Sequence, residues 1–151
     1  MVLDDGRVVV LAEEFPPPEF ERRVRVSVTD ASGEERWVRV DAAPGQISTH
    51  QLRGGVQAVV DDGDTVVLKR NGPRPCISQR LVMVSGAGIN WVCRGRHFRL
   101  FVIDCATGEW VCRVGLQWEI SHRLDNLGVA LVAALILHRV PLSISLRSIQ
   151  V

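Results

Sequence analysis

Almost everything in the first 120 positions has strand character, in short stretches broken by turn residues, and it leads to an unbroken apolar run from Leu127 to Leu137. The run reads Leu-Gly-Val-Ala-Leu-Val-Ala-Ala-Leu-Ile-Leu, with no charged or polar side chain. A helix made from it is apolar on every side and has to be surrounded. Its length corresponds to about 16 Å of rise, roughly half a bilayer core, which predicts a buried core helix and no membrane span. The ends carry their own signals. Asp125 is placed to cap the first turn, and Leu124 and Val129 stand at the spacing of a hydrophobic staple. His138 and Arg139 put positive charge at the negative end of the dipole, and Pro141 stops the helix.

The alternating stretches predict strands. Arg7 to Ala12 is a short one. In Arg23 to Thr29, Val24, Val26 and Val28 fall on one face, and Arg36 to Val40 returns after the turn Asp30-Ala31-Ser32-Gly33. Val56 to Val60 and Thr65 to Lys69 form a second hairpin about Asp61-Asp62-Gly63-Asp64, a turn too short and lacking the distal Glu for an EF-hand. Ile77 to Ser85 and Trp91 to Arg94 flank Gly86-Ala87-Gly88, which no helix follows, so a hairpin turn is expected there and not a nucleotide-binding loop. From His97 to Trp118 a longer hairpin turning at Thr107-Gly108 pairs Ile103 with Cys112 and Phe101 with Val114. One face then collects Phe101, Ile103, Cys105, Trp110, Cys112, Val114, Leu116 and Trp118. Leu142, Ile144 and Leu146 alternate in a last strand.

Nine to eleven strands and one principal helix result. The expected fold is mainly β: an antiparallel barrel or strongly curved sheet around one central hydrophobic helix near the C-terminus. The 151 residues suit a single domain, 1–151, in which 1–20 form a peripheral strand and a connector made extended by Pro16-Pro17-Pro18. The first residues lack the charged start, long apolar region and cleavage site of a signal peptide, so a cytoplasmic location is the default.

Net charge near zero conceals an asymmetry. Residues 1–68 hold 13 acidic and 7 basic side chains, a net of −6, and residues 69–151 hold 4 acidic and 11 basic, a net of +7. Either the halves neutralise each other by packing, or the second half presents a basic surface to an anionic ligand. Lys69, Arg70, Arg74 and Arg80 gather near one loop, and Arg94, Arg96 and Arg99 near another. These are the candidate anion-binding residues. Few aromatics are free to stack on bases, which disfavours nucleic acid relative to an anionic lipid headgroup or a protein partner.

Catalytic and metal readings are weaker. Cys93, His97, Cys105 and Cys112 match no zinc-ligand spacing, and no cysteine has a base and an orienting group at motif spacing. Free cysteines, no metal, no cofactor and no enzymatic role are therefore expected.

From about Gly55 to Val140, the series of short hairpins, then Trp118-Glu119-Ile120-Ser121, then Leu124-Asp125 opening an all-apolar helix, resembles the tubby-like superfamily. That group includes phospholipid scramblases and LURP-one-related proteins. The resemblance implies a closed antiparallel barrel around a buried helix and phosphoinositide binding through basic residues on its surface, peripheral to a membrane. The strand-like tail and the Pro-rich start depart from the family pattern. The expectation is a non-enzymatic binding module for a phosphoinositide or phospholipid headgroup. Its rival is an interaction or assembly subunit that meets a protein partner or a second copy of itself.

Overall fold

The computed structural model describes residues 1–15, 17, 21–45, 47–70, 81–96, 99–115 and 117–140. The alternating stretches become ten strands: β1 (Val8–Glu14), β2 (Arg23–Thr29), β3 (Glu35–Val40), β4 (Val56–Val60), β5 (Thr65–Arg70), β6 (Leu81–Gly86), β7 (Ile89–Arg96), β8 (Arg99–Asp104), β9 (Trp110–Val114) and β10 (Trp118–Ile120). They pair in chain order, each antiparallel to the next, as one meandering sheet. Short polar turns join most of them, and a two-residue turn admits only an antiparallel neighbour. At Gly86-Ala87-Gly88 the turn residues Ala87 and Gly88 have φ of 53° and 77°, the left-handed pair that matches the twist of a tight hairpin. Among the described residues the sheet is not closed into a barrel, since no ladder joins β1 to β10.

The apolar run forms α2 (Asn126–Leu137), and its residues from Asn126 to Leu135 are all buried. Asp125 is the N-cap, its carboxylate accepting from the Gly128 amide at 2.8 Å. The helix lies against β2 and β3. Its side chains join Val26, Val38, Val60, Leu68, Val84, Leu100 and Val102 from the inner face of the sheet in one core. Burying a leucine such as Leu131 contributes about 1.5–3 kcal/mol. Asn126, the one polar residue at the buried start, donates its amide to the Asp30 carboxylate at 3.0 Å and the Glu34 carbonyl at 3.1 Å. The β2–β3 turn is thereby tied to the helix.

The other end of α2 differs from the sequence expectation. His138 is fully buried, and desolvation pushes its pKa from 6.5 down to about 4. It is neutral at pH 7 and adds no charge to the helix end. Only exposed Arg139, with φ of 55°, can do so. The helix ends at Leu137, before Pro141, which falls outside the described residues together with the expected last strand and most of the Pro-rich connector.

Two further corrections concern local pattern. A short helix, α1 (Thr49–Gly54), was not expected, although Ser48 and Gln51 form a full capping box and Leu52 is fully buried. The long hairpin is shifted by one residue: Phe101 pairs with Arg113, Val102 with Cys112, and a bulge between Val102 and Ile103 sets Ile103 opposite Trp110. Leu100, Val102, Cys112 and Val114 therefore face inward, while Phe101, Ile103, Cys105 and Trp110 are exposed. The run Leu100 to Ile103 is apolar at every position, so periodicity could not choose its face, and a one-residue slip reverses every side chain. The return strand also ends at Val114; the Gly115 amide donates to the Gln117 carbonyl, and Trp118–Ile120 is a separate edge strand.

Candidate functional site

The outer face of β5 to β9 is built from two cross-strand rows. Lys69, Met83, Val92, Ile103 and Trp110 are successive partners in the first. Leu81, Arg94, Phe101 and Arg113 form the second. Alternation sends their chain neighbours Val82, Val84, Cys93, Leu100 and Val102 into the core and leaves these rows facing out. Phe101, Ile103 and Trp110 remain 37%, 45% and 42% exposed, which makes an apolar patch among cations. Arg113 lies over the Trp110 ring at 4.6 Å from its centroid and pairs with Glu119 at 3.2 Å. Arg99 runs past Gly115, and Arg96 is its backbone partner across the β7–β8 ladder.

The charge asymmetry resolves differently in the two halves. Most arginines of the first half are matched to its own acids, exposed Arg53 being the exception among the described residues: Arg7 to Asp5, Arg22 to Glu13, Arg25 and Arg39 to Glu14, and Arg36 to Asp61 and Asp62. Burial alone would raise the Glu14 carboxyl, but hydrogen bonds from Arg39 and Arg25 outweigh it and hold that group below its ordinary value. The hydrogen bond from Arg7 does the same for Asp5. Among the described residues, no ion pair joins residues 1–68 to residues 69–151. Exposed Lys69, Arg94 and Arg99 have no acidic partner within the described residues.

The sequence-derived candidates therefore separate. Lys69 and Arg94 stand on this outer face. Arg70 does not: it is 4% exposed, because consecutive strand residues point to opposite faces and Lys69 takes the outer one. Arg74 and Arg80 lie outside the described residues, and Arg96 is placed by its backbone alone. The sequence reading missed Phe101, Ile103 and Trp110 as surface partners of the cations, having assigned them to the core. The chemistry available is that of an exposed, rigid strand surface able to set guanidinium and ammonium groups against anions while apolar side chains lose water.

Cys93 and Cys112 are buried free thiols; burial pushes the first well up and the second to about 12. Neither is a nucleophile at neutral pH. Among the described residues, no group of three His, Cys, Asp or Glu side chains is arranged to hold a metal ion. No described helix is long and apolar enough to cross a membrane. No protein-family model, no curated protein and no solved structure matches the chain.

Proposed function

We propose that this chain is a non-enzymatic binding module whose β5–β9 outer face docks on an anionic lipid surface, with a phosphoinositide or phospholipid headgroup as the ligand. One observation carries the reading: Lys69, Arg94 and Arg99 lack acidic partners among the described residues and share a face with exposed Phe101, Ile103 and Trp110. Cations attract the headgroups over a Debye length of about 8–10 Å, and the apolar patch then gains by leaving water. Membership of the tubby-like superfamily, and a cytoplasmic location at a membrane, belong to this same proposal.

Co-sedimentation with liposomes tests it. Wild-type protein should bind vesicles containing phosphatidylserine or a phosphoinositide and ignore pure phosphatidylcholine. Near such a surface each cation is worth about 1 kcal/mol, so the triple variant Lys69→Ala/Arg94→Ala/Arg99→Ala should bind at least about tenfold more weakly. Its melting temperature should stay near that of wild type, because none of the three side chains is in an ion pair among the described residues. Wild-type protein that ignores anionic vesicles even at low salt defeats the lipid reading. A protein partner captured through this patch, or a second copy of the chain, then becomes the better account.

A further inference from the structure

The two ends of the sheet face each other across a cleft of about 600 Å³, within the usual range for binding sites. Val2, Leu3 and Asp4 line one wall, and Trp110, Trp118 and Ile120 the other. Both walls are strand edges that carry hydrogen-bonding groups without a partner among the described residues. Met1 to Leu3 runs antiparallel along β1: the Val9 amide donates to the Met1 carbonyl and the Leu3 amide to the Arg7 carbonyl, each at 2.8 Å. Val2 opposite Val8 is then the position whose amide and carbonyl point away from β1. On the far wall, Gly115 donates to Gln117 and Ser121 to Val111 in the register that pairs Trp118 with Val114 and Ile120 with Cys112. By the alternation of an antiparallel ladder, Trp118 and Ile120 direct their amides and carbonyls away from β9.

We infer that this cleft accepts an extended peptide segment of a partner protein, which enters as an added strand between Met1–Leu3 and β10 and completes the ring of the sheet. Backbone groups on both sides supply the ladder, and Leu3, Trp118 and Ile120, each half-buried against the core, supply apolar seats for alternate side chains. Charge selects among such segments. Asp5 is held by Arg7 and Glu119 by Arg113, whereas exposed Asp4 has no ion-pair partner among the described residues. Trp110 already receives one guanidinium on its ring, that of Arg113. The occupant is therefore an apolar-alternating strand with a cationic side chain opposite Asp4. This site adjoins the outer-face patch, with Trp110 common to both, and is opposite to it in charge preference.

The probes are three synthetic peptides: acetyl-Val-Thr-Val-Lys-Val-Thr-amide, the same peptide with Glu in place of Lys, and the Lys peptide N-methylated at alternate residues. The Lys peptide should bind with Kd below about 100 μM, shift tryptophan emission, and slow hydrogen exchange at the amides of Val2, Trp118 and Ile120. The Glu peptide and the N-methylated peptide should each bind about tenfold or more weakly. Val2→Pro removes an amide that faces the cleft and leaves the bonds of Met1 and Leu3 to β1 intact, so it should weaken the Lys peptide by a similar factor with little change in melting temperature. No binding of the Lys peptide up to about 1 mM overturns the inference. So does equal binding of the N-methylated peptide, or exchange at Trp118 and Ile120 that saturating peptide leaves unchanged. Equal affinity for the Lys and Glu peptides removes the role of Asp4.

Discussion

Mild acid should destabilise this protein through His138, over a pH range in which surface histidines would do little. The imidazole is fully buried, and among the described residues neither ring nitrogen has a hydrogen-bond partner of good geometry. Burial disfavours the imidazolium, nearby Arg23 adds to that, and the Ala43 backbone offsets only part of it, leaving a pKa of about 4 against 6.5 for an ordinary histidine. Below pH 6.5 the unfolded chain takes up a proton at this position that the native protein refuses, so stability falls as pH falls. The loss stops near pH 4, where both states are protonated. The 6.5-to-4 shift corresponds to about 3 kcal/mol in all, of which about 2 kcal/mol is gone by pH 5. The assay is urea unfolding at pH 7, 6, 5 and 4.5 for wild type and His138→Leu. Asp5 and Glu14, whose pKa values are lowered, lose their contribution only at the acid end, and equally in both proteins. The leucine variant should match or exceed wild type at pH 7, because an unpartnered buried polar group is removed, and should gain about 2 kcal/mol on it by pH 5. Parallel pH profiles for the two proteins would refute a buried neutral His138.

The remaining expectations follow from packing. Leu131→Asp or Leu135→Asp places an unpaired charge where no side chain is exposed, and either should abolish the folded circular dichroism spectrum; near-native melts for both would show that α2 is not enclosed. Gly86 has φ of 124°, and a Cβ there would sit 2.3 Å from the Thr65 carbonyl oxygen, so Gly86→Ala should cost at least about 2 kcal/mol in denaturant unfolding, with an unchanged midpoint as the contrary result. Of the three described cysteines, only exposed Cys105 should react with iodoacetamide in the native protein, and peptide mapping that finds Cys93 or Cys112 alkylated without denaturant contradicts their burial.

Hydrophobic pattern by itself determined the class of this protein. Strict alternation in Arg23 to Thr29 set which side chains enter the core, because a strand with one polar face has a single way to be buried. The run Leu127 to Leu137 could only be enclosed, and Asp125 marked its start. Where the signal was two-sided, tertiary structure decided. Leu100 to Ile103 satisfies either face; burial of Leu100 and Val102 turned Phe101 and Ile103 outward, and the bulge set Trp110 beside Ile103, putting an apolar patch beside cations that the sequence had located only as a charged stretch. His138 read as a charge at a helix end until burial made it neutral, and Arg70 read as part of a basic loop until its place in β5 turned it inward. The unspent edges of Val2, Trp118 and Ile120 have no sequence signature at all. Which hydrogen-bonding groups of a strand go unpaired depends on which strand lies beside it, and that is a property of the assembled sheet.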